Sequence, residues 1–233
     1  DILVGKISPK GESDLTPEER KLYDDLASGA DEITLDTEAM VKLIRCKQLC
    51  DHPALIGETE MKASKFEMLR EILDEVVIQN GHKVLIFSQY KTMMPLFGAL
   101  LDDMGLKYMQ IDGDTPTDER ASMQKKFNED KTMDIMIGTE AMATGLNFTS
   151  ADYVILYSPW WDNTRNEQSI GRAHRIGQKN VVTVINITVR DTIEERVREV
   201  LTGKAKITAK TLGDNLDSRD LMKLSPKELI KLL

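Results

Sequence analysis

The sequence predicts an α/β fold, a parallel sheet flanked by helices, and three observations predict it. Short apolar runs rich in Val and Ile recur from residue 84 onward, they are apolar on both faces, and stretches with helical spacing separate them. A strand that is apolar on both sides belongs in a layer covered twice. Parallel neighbours need a crossover of about a dozen residues or more, and the intervening helices supply it.

Before residue 60 the text is helical. LTPEERKLYDDLAS starts with Thr16 ahead of Pro17 and Glu18, and DTEAMVKLIRCKQLCDHPAL starts with Asp36 or Thr37. SKFEMLREILDEVVIQ, residues 64–79, forms the next helix and ends at Asn80-Gly81, feeding the first strand. The strands are VLIFS (84–88), KYMQI (107–111), DIMIG (134–138), DYVILY (152–157) and VVTVINI (181–187). Between them Met93, Leu96, Phe97, Leu100 and Leu101 share one helical face, and Met123 and Phe127 share another. DTIEERVREVL is helical again, then come a Lys-bearing stretch at 203–210, an acidic connector and SPKELIKLL, where Ser225 caps and Pro226 opens a last short helix. The expected division is a helical preface over 1–60, an α/β lobe over 61–200 and a helical extension over 201–233.

Composition narrows the function classes. Lys plus Arg number 31 against 39 Asp plus Glu, a net charge of −8, which excludes a general polyanion binder and makes any nucleic-acid contact local. No apolar run approaches the length needed to cross a bilayer. The opening DILVGKISPK is neither Met nor a leader, so the chain is expected to be part of something longer. The two cysteines, Cys46 and Cys50, cannot frame a fold of this size with disulfides, which points to a reducing compartment. With His52 they read C-x₃-C-x-H, but a fourth ligand is missing, and IRCKQLC reads as a buried helix face; no metal site is expected.

In parallel sheets ligands sit beyond the carboxyl ends of the strands. The informative loops therefore begin at Ser88, Asp112, Gly138, Ser158 and Thr188. One run past such an end is QSIGRAHRIGQK (168–179), where Arg172 and Arg175 lie three apart. Two arginines at that spacing, taken alone, make a solvated helix face. Two guanidinium groups beyond a strand end are also suited to a transferring phosphoryl group, because they stay charged and present planar forks of donors.

At QSIGRAHRIGQK the sequence resembles the Swi/Snf-type DNA translocases of helicase superfamily two, whose second RecA-like lobe carries a Q-A-x-x-R-A-H-R-I-G-Q motif. Here it stands as Gln168-Ser169-Ile170-Gly171-Arg172-Ala173-His174-Arg175-Ile176-Gly177-Gln178. IRCKQLCDHPAL (44–55) is similar to the family's L-R-x-x-C-N-H-P segment and ASKFEMLREIL to the helix after it. VLIFSQY (84–90) is similar to motif four, IDGDTPTDER (111–120) to the I-D-G-x-T segment, GTEAMATGLNFTSADYVIL (138–156) to motif five, and TIEERV (192–197) to the element closing the lobe. The segments run in family order over residues 40–200. Two departures bear on the subfamily but not on the lobe: Ala141-Met142-Ala143-Thr144-Gly145-Leu146-Asn147 replaces A-G-G-x-G-L-N, and Trp161-Asp162-Asn163 stands for W-N-P.

The resemblance implies a RecA-like fold with a second-lobe insertion in the helical preface. It implies that Arg172 and Arg175 act as arginine fingers on the γ-phosphate of ATP, with Gln168 orienting that phosphate or the attacking water. Thr144 and Gly145 would line the nucleotide cleft. Thr139 would contact a DNA phosphate, with Ser88, Gln89 and Thr115 as weaker candidates, since single polar residues at loop starts also serve as local caps. Trp160 and Trp161 invite base stacking, but after Ser-Pro they read better as packing. No G-x-x-x-x-G-K-[ST] occurs, and neither DEI (31–33) nor DEV (74–76) follows a strand. ATP and Mg²⁺ would therefore be held mainly by an N-terminal RecA-like lobe of the same polypeptide, and this chain alone would not hydrolyse ATP.

The function implied is the second motor lobe of an intracellular, DNA-associated ATPase that moves on double-stranded DNA without sequence preference. A non-catalytic docking module, or the lobe of a strand-separating helicase, shares part of the pattern. The arginine pair argues against the first, and CDHPAL with HRIGQ against the second.

Overall fold

The computed structural model describes residues 11–29, 36–173 and 181–201. In chain order the elements are β1 (Glu12–Ser13), α1 (Pro17–Ala27), α2 (Asp36–Asp51), α3 (Ser64–Leu73), β2 (Val84–Phe87), α4 (Met94–Asp103), β3 (Tyr108–Ile111), α5 (Thr117–Glu129), β4 (Ile135–Gly138), β5 (Tyr153–Leu156), α6 (Asn163–Ile170), β6 (Thr183–Asn186), β7 (Thr188–Val189) and α7 (Ile193–Leu201). The described residues fall into two compact units: those within Leu69–Trp160 and Thr164–Ile187, and those within Glu12–Met68, Trp161–Asn163 and 188–201.

The first unit holds a five-stranded sheet in the order β3-β4-β2-β5-β6, with every neighbouring pair parallel. The central strands β2 and β4 are buried at every position, while edge strand β3 leaves Gln110 exposed. That is why the central runs lack the alternation of a half-solvated strand. Phe87 pairs with both Gly138 and Leu156, Ile111 with Gly138, and Leu156 with Asn186. The carboxyl ends of all five strands are thus in line, and their loops leave from one edge of the sheet. Phe87, Phe127, Met136, Met142, Phe148 and Val154 lead the core of this unit, and Phe127 meets Phe148 edge to face at 5.7 Å.

Residues 64–79 are helical as expected, but not as one α-helix. From Asp74 to Gln79 the turns widen to a π-helix, which keeps Val76 and Val77 both buried and leaves Ile78 on the surface. Asn80 closes it by donating its amide to Glu75 O at 2.6 Å.

In the second unit α1 begins with a capping box. Glu19 N donates to Thr16 Oγ1 and Thr16 N to Glu19 Oε2 (3.2 and 2.8 Å), while the other Glu19 oxygen accepts from Ser64 N at 3.1 Å. Tyr23, Leu43, Cys46, Leu49, Cys50, Val189, Ile193 and Val197 form the core. Cys46 and Cys50 do occupy a buried helix face, and burial raises both thiols, Cys46 to about 11. His52 caps the 3₁₀ turn Pro53–Ile56, its Nδ1 accepting from Ala54 N at 3.1 Å. The helical preface is completed from the far end of the chain. β7 pairs with β1, and α7 lays Ile193 and Val197 into the same core, so this unit takes in residues assigned from sequence to the lobe.

Four charged side chains are buried together in this unit. Lys65 Nζ lies 2.8 Å from Asp51 Oδ1 and 2.7 Å from Glu194 Oε1, with all three side chains out of solvent, and the buried Lys47 stands over the Trp161 ring at 5.2 Å. Burial would lower Lys65, but the two carboxylates outweigh it and raise its pKa. Burial wins at Lys47 and pulls it from 10.5 down to about 8, against Asp51 and Glu194. Between those values the unfolded chain binds the extra proton, so the cost of charging Lys47 in place is full below pH 8 and fades as pH rises toward 10.5. The melting temperature of the wild type relative to Lys47→Met should therefore climb between about pH 8 and pH 10. A difference independent of pH would refute it.

Candidate functional site

Strand β4 ends on Gly138 because nothing larger fits. A Cβ there would stand 2.6 Å from Ile111 O and 2.7 Å from Met142 Cβ. Thr139 follows, its N–H donating to Ile111 O at 3.2 Å and its carbonyl accepting from Met142 N at 2.9 Å. It opens the 3₁₀ turn Glu140–Ala143 without using its hydroxyl as a cap, and its side chain is half-buried. Thr144 and Gly145 are exposed. Thr144 Oγ1 donates to Ala141 O at 3.1 Å, and Gly145 takes φ +71°, which favours glycine. Beyond them the loop dives inward, burying Leu146 and Phe148.

Helix α6 rises beside this loop. Its Asn166 side chain clamps the backbone of Trp160 from both sides, Oδ1 accepting from Trp160 N at 2.9 Å and Nδ2 donating to Trp160 O at 2.7 Å. Arg165 Nη1 reaches Glu140 Oε2 at 2.9 Å, linking the helix to the 3₁₀ turn. Gln168 presents its side chain to solvent, while Ser169 is buried. Arg172 is 8% exposed. Its carbonyl accepts from Phe148 N at 2.7 Å, its Nη1 donates to Leu146 O at 3.1 Å, and its Nε donates to Gln168 O at 3.0 Å. The motif-five loop and the first arginine are thus one hydrogen-bonded assembly. Arg175, with His174, Gly177 and Gln178, lies outside the described residues, as do Lys204, Lys206 and Lys210.

The loops after β2 and β3 leave the same edge. Ser88 is buried, its hydroxyl sharing a hydrogen bond with Ser158 Oγ at 2.9 Å and accepting from Tyr90 N at 3.1 Å. Ser88 therefore shapes its loop from inside, and the half-buried Gln89 stands nearer the surface. Thr115 Oγ1 accepts from Asp112 N at 3.0 Å, and Arg120 buckles the turn by donating to the carbonyls of Thr115, Asp112 and Gly113. Lys91 bridges the two loops, its ammonium against Asp114 and 3.6 Å from Asp112, and the Asp114 hydrogen bond raises its pKa.

Trp160 is core, 7% exposed and edge to face with Phe87 at 6.4 Å. Trp161 packs on the core of the second unit. Both tryptophans are engaged in packing. Among the described residues no group of His, Cys, Asp or Glu is arranged to hold a metal.

Sequence reasoning passed over Gln124 and Asn128 of α5. Gln124 Oε1 accepts from Asn147 N at 3.1 Å, and Asn128 Nδ2 donates to Asn147 O at 2.9 Å. The only signal in the text was their spacing of four, which sets both on one helical face.

The comparisons with known proteins agree with this geometry. The helicase conserved C-terminal domain matches residues 64–177. An ATP-dependent helicase of Mycoplasma pneumoniae is 30% identical over 237 residues, covering 99% of this chain and 23% of that protein. The nuclear protein STH1/NPS1 of Saccharomyces cerevisiae is 33% identical over 187 residues, 73% of this chain and 14% of that one. This chain therefore spans a quarter or less of these relatives. The SWI2/SNF2 ATPase core of Sulfolobus solfataricus, solved in complex with double-stranded DNA, superposes with a TM-score of 0.75 at 26% identity, over 99% of this chain and 50% of that one. With the parallel sheet, the aligned strand ends and the motif order all in agreement, the chain belongs to the Swi/Snf family of ATP-dependent helicases, as its carboxy-terminal RecA-like helicase lobe.

Proposed function

We propose that this chain is the second motor lobe of an ATP-dependent translocase or remodeller acting on double-stranded DNA. The observation that supports the reading is the direct hydrogen bonding of Arg172 to residues 146 and 148, because it joins the loop that would touch nucleotide and DNA to the arginine that would sense the γ-phosphate. ATP and Mg²⁺ are carried mainly by an N-terminal lobe of the same polypeptide, and closure brings Arg172 and Arg175 onto the phosphoryl group with Gln168 beside it. Their fixed positive charge stabilises the oxygens as negative charge shifts among them. Thr144 and Gly145 line the cleft on this side. Thr139, Gln89 and Thr115, with Ser88 holding its loop, follow the DNA backbone, and alternating grip by the two lobes converts hydrolysis into stepping.

Duplex DNA of any sequence should stimulate phosphate release by the full-length protein; an ATPase indifferent to DNA would overturn the reading. Phosphate contacts carry no base information but release counterions, so duplex affinity should fall with salt and not vary with base sequence. If Lys204, Lys206 and Lys210 each neutralise a phosphate, changing one to Gln lowers the magnitude of the log K against log salt slope by about 0.9. Strong preference for one duplex sequence, or a slope unmoved by all three changes, would count against DNA contact by this lobe.

A further inference from the structure

We propose that Gln124 and Asn128 of α5 are positioning residues for ATP hydrolysis, acting through the seat of Arg172. The inference rests on the assignment of Arg172 to the γ-phosphate. Its basis is a continuous chain of hydrogen bonds within one compact unit. Arg172 is held on one side by Leu146 O, which accepts from Nη1 at 3.1 Å, and on the other by Phe148 N, which donates to its carbonyl at 2.7 Å. The residue between those two anchors is Asn147. Both of its backbone groups are engaged by α5, the N–H by Gln124 Oε1 at 3.1 Å and the carbonyl by Asn128 Nδ2 at 2.9 Å.

Asn128 also holds the far end of the same loop. Its Oδ1 accepts from Ser150 N at 3.3 Å and from Ser150 Oγ at 3.1 Å. One amide thereby spans residues 147–150, using its donor at one end and its acceptor at the other. The helix itself is anchored beneath this contact by Phe127, fully buried against Phe148. The preceding stretch lacks such support, since Thr144 and Gly145 are exposed. The loop is thus pinned where it meets Arg172 and open where it would meet nucleotide. A guanidinium set on backbone carbonyls moves when those carbonyls move, and a displacement of about 1 Å at a catalytic group can cost on the order of a hundredfold in rate.

The test uses the full-length protein and Asn128→Asp, which keeps the acceptor for Ser150 but turns an oxygen toward Asn147 O. DNA-stimulated kcat should fall by roughly tenfold to a hundredfold, with KM for ATP and duplex affinity within about twofold of wild type, as expected when only transition-state geometry is lost. A merely structural role would lower the melting temperature and leave kcat below it unchanged. Gln124→Glu, which retains an acceptor for Asn147 N, should stay near wild type, whereas Gln124→Leu should follow Asn128→Asp. Should Asn128→Asp fail to fold, Gln124→Leu carries the same expectation. Combined with Arg172→Lys, either change should add little, because it acts only through that arginine. Unchanged kcat in Asn128→Asp and Gln124→Leu, or losses that multiply with Arg172→Lys, would overturn the proposal while leaving the motor reading intact. Near-normal turnover in Arg172→Lys itself would instead remove the reading on which it rests, and the proposal with it.

Discussion

Replacing Arg175 by lysine in the full-length protein should lower DNA-stimulated ATP hydrolysis by about 10³ to 10⁵, with far less change in duplex affinity. Lysine keeps the charge but offers a compact ammonium in place of the planar fork, so it cannot hold two phosphoryl oxygens in one geometry as charge develops on them. A solvated helix face would tolerate the same change within roughly 0.5 kcal/mol of stability. Arg172→Lys should behave similarly for a further reason. Its guanidinium is oriented by two carbonyls, Leu146 O through Nη1 and Gln168 O through Nε, and an ammonium has no such fork to set between them. If both arginines hold one phosphoryl group, the double variant should be little worse than either single one. The measurement is phosphate release by wild-type and variant enzymes, with thermal melts to exclude unfolding. Near-normal turnover in both single variants would remove the finger assignment.

Lys65→Met should destabilise the chain by about 3 to 5 kcal/mol, because it leaves Asp51 and Glu194 as buried carboxylates facing the space their cation had filled. Removing the triad's charges together is a different experiment. In a Lys47→Met background, which removes the fourth buried charge, Asp51→Asn, Lys65→Met and Glu194→Gln together should recover most of the loss, since no unpaired charge of the group remains. The amide oxygen introduced by Glu194→Gln can still accept from Val189 N, as the Glu194 carboxylate does at 3.0 Å. Urea melts of the single and combined variants, with unchanged m-values, would check it. A Lys65→Met variant within about 1 kcal/mol of wild type would show that the triad contributes little.

The five strands of the main sheet were legible to within two residues at either end; the central β2 and β4 showed as uninterrupted runs because a doubly covered strand must be apolar throughout, whereas edge strand β3 carries the exposed Gln110. The start of α1 was legible for a local reason too: Thr16 and Glu19 satisfy each other's backbone within one turn. The family motifs were legible because their chemistry depends on residue type and spacing. Four other features depended on contacts between residues far apart in the chain. The strand order β3-β4-β2-β5-β6 could not be read, since buried strands of similar composition carry no mark of which neighbour they choose. The union of α7 with the helical preface, through Ile193, Val197 and the Lys65 triad, joins residues more than a hundred positions apart. The inward turn of Ser88 onto Ser158 depends on β2 and β5 being neighbours. The seat of Arg172 was hidden for the same reason. Sequence alone determined that an arginine stands at position 172 beyond a strand end; only the tertiary structure decided that Leu146, Phe148 and Gln168 hold it and that α5 holds the loop between the first two, because backbone carbonyls and amides carry no residue identity and acquire partners only when the chain is folded.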